Sequence, residues 1–112
     1  MNMNDTHDSQ YSKAIYKILK TIDIWYENDT PIKEMIFDLE KIGISQRRLV
    51  LILHGLNNAG YIEGIFFSKA FNDRFTLQSP RLTILGMNYL ETNSAMKQAY
   101  KTLKEVRDWL PF

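Results

Sequence analysis

The sequence predicts an α+β fold of the winged-helix type: a helix-turn-helix with a β-hairpin wing, followed by two C-terminal helices. Three observations predict it. Ser45 to Gly60, SQRRLVLILHGLNNAG, reads as one helix with both ends marked. Two helical patterns precede it, the second joined to it by only Gly43-Ile44-Ser45, and closely joined helices suggest a helix-turn-helix. A β-rich stretch then begins directly after the Gly60 stop and returns through a polar turn.

Length and composition agree with one small domain. The chain has 112 residues, 45% of them hydrophobic and 12% aromatic. A chain of this size buries roughly two thirds of its unfolded surface, enough for an unassisted core. Cysteine is absent, which excludes disulfides and thiolate metal sites and fits a reducing compartment. The first residues lack the apolar run of a signal peptide, and no segment approaches the ~20 apolar residues of a membrane span. The expectation is a cytoplasmic protein without a membrane partner. The net charge is +1, which excludes a surface that grips nucleic acid all over. Between Ile42 and Leu82, however, Arg47, Arg48, Lys69, Arg74 and Arg81 stand against Glu63 and Asp73, a local net charge of +3.

Residues 1–9 are polar and read as a flexible tail, which leaves 10–112 as a single winged-helix domain. Asp8 or Ser9 can cap a first helix to about Tyr26, with Tyr11, Ile15, Ile18, Leu19, Ile22 and Trp25 as its apolar stripe. Lys13, Lys17 and Lys20 line another, solvated face. Thr30 and Pro31 suit the cap and first position of a second helix. That helix runs to about Ile42, with Ile32, Met35, Ile36 and Leu39 inward and an acidic outside of Glu34, Asp38 and Glu40. In the third helix Ser45 caps and Gly60 closes. Leu49, Ile52, Leu53 and Leu56 share its buried face; Arg47, His54 and Asn58 lie opposite, with Val50 and Leu51 on the outward side. Tyr61 to Ser68 forms the first strand, residues 69–74 the turn with Asn72-Asp73 at its tip, and Phe75 to Gln78 the second strand; Ser79-Pro80 then interrupts the ladder. Thr83 caps a short helix to about Glu91, in which Leu85, Tyr89 and Leu90 can pack and Gly86 permits close approach of another backbone. A last helix follows Asn93-Ser94, with Met96, Ala99, Tyr100, Leu103 and Val106 at helical spacing and Lys97, Lys101 and Lys104 outside. It is expected to pack on Ile15, Ile18 and Ile22 of the first helix.

The C-terminal half carries a resemblance. Leu82-Thr83-x-x-Gly86-x-x-Tyr89-Leu90, then Asn93-Ser94, then Met96-Lys97-x-x-Tyr100-x-x-Leu103-Lys104-Glu105 and Trp109, resembles the YjcQ-like family. These are small winged-helix proteins of Gram-positive bacteria and their phages. The first element is common after the wing of many winged helices. Ile84 and Leu85 stand where such proteins often carry charge, which implies extra burial by the last helix or a second subunit.

No catalytic constellation is present: there is no Gly-rich phosphate loop, no nucleophile motif and no metal-spaced cluster. The expectation is a protein that is not an enzyme and takes neither cofactor nor metal. The candidate site is a DNA-binding surface of Gln46, Arg47, Arg48, His54, Asn58, Lys69 and Arg74. Arg47 and Arg48 occupy the first turn of a helix, where the macrodipole is already positive and a bound phosphate would relieve the conflict. Pairing with Glu34, Asp38 or Glu40 is the alternative. His54 and Asn58 can meet base edges in a major groove or serve as ordinary solvated residues. Lys69 and Arg74 flank the wing and can touch phosphate or merely guard an edge strand. Leu51 can meet a thymine methyl or join a protein interface. Two functions follow. The first is a DNA-binding regulatory protein of a bacterium or prophage, with double-stranded DNA as partner. The second is a non-enzymatic interaction module, a phage-encoded effector or adaptor on a host protein. The apolar end Trp109-Leu110-Pro111-Phe112 and the two-fold symmetry of many DNA sites suggest a weak homodimer in addition.

Overall fold

A computed structural model describes residues 3–29, 36–71 and 74–93. The described elements are α1 (Met3–Glu27), α2 (Leu39–Ile42), α3 (Gln46–Asn58), β1 (Ile62–Phe67), β2 (Phe75–Leu82) and α4 (Ile84–Thr92). The strands pair antiparallel, so the fold is α+β with helices around a two-stranded hairpin, an architecture compatible with a winged helix. The Thr30 and Pro31 start signals, the Asn72-Asp73 tip and the last helix with its lysines lie outside the described residues.

Most of the predicted α1 stripe builds the core, but Tyr11 is exposed and Ile15 only half-buried. Ile18, Leu19, Ile22 and Trp25 are buried, joined by Ala14, Tyr16 and Thr21. Thr21 is satisfied inside the helix, its hydroxyl donating to the Lys17 carbonyl. The helix begins at Met3, upstream of Asp8 and Ser9, so it takes in most of the stretch read as a tail. Lys17 is not simply solvated either. Its ammonium donates to the Lys41 carbonyl at 2.8 Å, tying α1 to the end of α2, and burial lowers its pKa from the ordinary value.

The second helix is much shorter than predicted. Ile36 to Asp38 are not helical, and Asp38 is the cap: its carboxylate accepts from the Lys41 backbone N–H at 3.0 Å. A short polar side chain competes with the helix for its own backbone and so favours the cap over the interior. Phe37 is consequently free to turn inward, edge-on to Phe75 with ring centroids 6.3 Å apart. Gly43 closes α2 in the left-handed region, φ 86°.

α3 keeps both predicted end signals. Ser45 Oγ accepts from the Arg48 N–H at 3.1 Å. At the other end the Tyr61 N–H reaches Leu56 O and the Gly60 N–H reaches Asn57 O, the paired bonds of a Schellman closure, with Gly60 at φ 80°. The buried face is rotated from the prediction. Leu49, Leu53 and Leu56 are buried, and so is Val50 at 3% exposure, whereas Ile52 is only half-buried. The reason is tertiary. β1 packs against α3, and the His54 ring, one turn on from Val50, stacks on Phe67 of that strand.

The hairpin is longer than predicted because the ladder continues past Pro80. Glu63 pairs with Arg81 and Ile65 with Leu77, so Gln78, Ser79 and Pro80 oppose Gly64 alone. The bulge absorbs the residue that cannot donate to the ladder and buries its ring. It requires Gly64, at φ 81°, because a Cβ there would lie 2.6 Å from the Gln78 and Ser79 carbonyl oxygens. Arg81 and Glu63 form an ion pair at 3.0 Å across the strands.

α4 starts where the sequence places it. Thr83 Oγ1 accepts from the Gly86 N–H at 3.0 Å and donates to the Gly60 carbonyl at 2.5 Å. Tyr89 stacks on Tyr61, centroids 4.7 Å apart, and Leu90 is buried. Leu85, expected to pack, is instead exposed, as are Ile84 at 83% and Met87.

Candidate nucleic-acid interface

The start of α3 and the turn end of the hairpin border an open depression of about 830 Å³. Its described lining is Ser45, Arg47, Arg48, Val50, Leu51, His54 and Ser68. The α3 cap holds Ser45 and the two arginines at the helix start. The hairpin turn holds Ser68 opposite: its N–H donates to the Arg74 carbonyl at 3.0 Å, and its hydroxyl accepts from the Ala70 and Phe71 N–H groups at 3.2 and 3.1 Å.

Two arginines, Arg48 in the depression and Arg74 beside the turn, lie over aromatic rings. The Arg48 guanidinium lies 5.3 Å from the centre of the Tyr11 ring on α1. Arg74 lies 4.0 Å from the Phe71 ring at the end of the hairpin. Cation–π contact orients an arginine while leaving its charge uncompensated. Among the described residues neither Arg47 nor Arg48 pairs with a carboxylate: Asp38 is engaged as the α2 cap, and Glu40 is exposed without an ion pair to either. Glu34 lies outside the described residues. No carboxylate lines the depression among the described residues. His54 is exposed yet fixed, its ring parallel to Phe67 at 3.6 Å between centroids.

The structure therefore brings together three of the seven candidate residues, Arg47, Arg48 and His54. Asn58 is exposed at the far end of α3, and Lys69 and Arg74 are exposed beside the turn, all outside the lining. Gln46 is half-buried and also outside it. Ser45 and Ser68 belong to the site but carried no signal as such, since each reads as a cap or turn residue. Phe67 and Tyr11, which position His54 and Arg48, read as core residues in sequence. Among the described residues no group of histidine and carboxylate side chains could hold a metal ion, and no helix is long and apolar enough to cross a membrane.

Comparison with known proteins places the chain in a family. The family model described as YjcQ protein matches residues 16–109. The protein YjcQ of Bacillus subtilis (strain 168) is 36% identical over 98 residues, which cover 88% of this chain and 95% of the relative. No solved structure matches. On the extent of both matches, the chain belongs to the YjcQ family.

Proposed function

We infer that the chain is a non-enzymatic, DNA-binding winged-helix protein with a regulatory role in the cytoplasm of a bacterium or prophage host. In this reading the described elements belong to one winged-helix domain, α3 is the recognition helix and the β1–β2 hairpin is the wing. The observation that carries it is the depression between α3 and the hairpin. Two arginines, a histidine and two hydroxyls line it, with no carboxylate among its described residues. Guanidinium groups with no carboxylate partner among the described residues, beside a helix N-terminus, favour phosphate, and the exposed Lys69 and Arg74 extend positive charge along the hairpin.

The test is duplex binding across a salt series. Each phosphate neutralised contributes ~0.9 to the log–log salt slope. Arg47→Ala with Arg48→Ala should reduce that slope by roughly two if both meet phosphate. The fold should survive, because removing cations from a helix start relieves the dipole. Equal weak binding and equal slopes for wild type and variant refute the reading. A second reading is a protein-interaction module, such as a phage-encoded effector or adaptor. The exposed Ile84, Leu85 and Met87 on α4 favour it, because contiguous exposed apolar side chains mark interaction surfaces.

A further inference from the structure

The outward face of α3 has an apolar centre. At 3.6 residues per turn, Leu51 lies at the middle of the exposed arc, with Arg47 and His54 on one side and Arg48 and Gly55 on the other. Leu51 is 58% exposed. The helix cannot turn it inward without bringing out the buried Leu49, Val50, Leu53 and Leu56. The residue one turn on is stranger. Gly55 is exposed in the middle of a helix, where glycine costs stability relative to alanine. Internal packing does not require it. A methyl group added at Gly55 would meet nothing within 4 Å among the described residues, and its φ is not in the left-handed region.

An apolar side chain centred between cations, beside a helix turn stripped of its side chain, fits a surface that approaches the backbone closely and carries apolar groups within an anionic frame. A DNA major groove has that chemistry: the thymine C5-methyl projects between two rows of phosphates. Resting on the DNA reading above, we propose that Leu51 reads a thymine methyl and that Gly55 gives the clearance that lets α3 sit deeply enough for it to do so. Arg47 and Arg48 then hold the flanking phosphates.

The experiment selects sites from a random-sequence duplex pool with wild-type protein and with Leu51→Ala. Wild-type sites should fix a thymine at one position. Deoxyuridine there, which removes only the methyl, should weaken binding about fourfold, the worth of burying one methyl-sized group. Leu51→Ala should bind thymine and deoxyuridine duplexes alike. Gly55→Ala should lower affinity for the selected duplex several-fold while its circular dichroism stays that of the wild type. Selected sites without a fixed thymine, indifference of the wild type to deoxyuridine, or methyl discrimination retained by Leu51→Ala overturns the assignment of Leu51. Undiminished affinity in Gly55→Ala overturns the clearance. If the wild type retains no duplex, the proposal falls together with the DNA reading and the face is left to a protein partner.

Discussion

Two glycines stand inside helices of this chain, and alanine at each should move stability in opposite directions. At Gly86, α4 rests on the backbone of Tyr61, just past the Gly60 closure of α3. A Cβ there would lie 2.9 Å from the Tyr61 carbonyl carbon and closer still to its oxygen. Both obstacles are backbone atoms, so no rotamer change relieves them. The helix would have to lift by about 1 Å or more to reach ordinary contact. Lifting it strains the Thr83 N–H bond to Tyr61 O at 3.0 Å and the Thr83 hydroxyl bond to Gly60 O at 2.5 Å. Overpacking costs about 1–3 kcal/mol and a lost hydrogen bond about 0.5–1.5 kcal/mol. Better helix propensity returns about 1 kcal/mol. The net for Gly86→Ala is a loss near 2 kcal/mol, a fall of roughly 8 °C in melting temperature for a domain of this size. Gly55→Ala meets nothing among the described residues and keeps only the propensity gain, a rise of up to roughly 4 °C. Thermal melts and urea titrations followed by far-UV circular dichroism measure both. A Gly86→Ala protein as stable as the wild type would refute the close approach of α4 to Tyr61. A Gly55→Ala protein less stable than the wild type would show that the outer face of α3 is covered.

Ser45→Ala removes the hydroxyl that accepts from the Arg48 N–H, and a lost cap of this kind costs about 1 kcal/mol, or roughly 4 °C; an unchanged melting temperature would show that the cap contributes nothing. Asp23 on α1 gives a pH signature: burial raises its carboxyl pKa above the ordinary 3.8, with Lys20 opposing and Glu27 adding. Because the folded pKa is the higher one, the group's stabilising contribution is complete below the ordinary value and is lost as pH rises through the raised one. Asp23→Asn should therefore melt no lower than the wild type at pH 7 and should flatten the stability profile just above pH 3.8; a lower melting temperature at pH 7 with an unchanged acid profile would contradict the desolvation account.

What the sequence showed of this fold is what chain-local chemistry decides. Ser45, Thr83 and Gly60 mark helix ends through their own hydroxyls or left-handed backbone, and each does so where expected. Gly86 announced a close approach, and the Tyr61 backbone is what approaches. The failures share one cause, a decision made by a distant partner. Val50 is buried on the side of α3 where His54 meets Phe67 of β1, a placement no helical period contains. Pro80 stays within the strand because Gly64, on the opposite strand, accommodates three residues against one. Asp38 prevailed over a longer apolar periodicity by capping a shorter helix. At the candidate site the charges were legible, but the rings that position them were not. Tyr11 and Phe67 hold Arg48 and His54 from other elements.

The bulge in the hairpin has a consequence for how copies of this chain behave at high concentration. Among the described residues both strands of the two-stranded sheet are edges, and an open edge is a template on which another chain can add its own strand. Here neither edge offers an unbroken row of donors and acceptors. On β2, Pro80 has no N–H to give, and Ser79 turns the backbone to φ 51°. On β1, Gly64 at φ 81° breaks the pleat at the matching height. An incoming strand would find a few residues of ladder on either side of the break and nothing continuous to propagate along. The irregularity that lets a proline lie inside a strand thus also guards the hairpin against fibrillar growth.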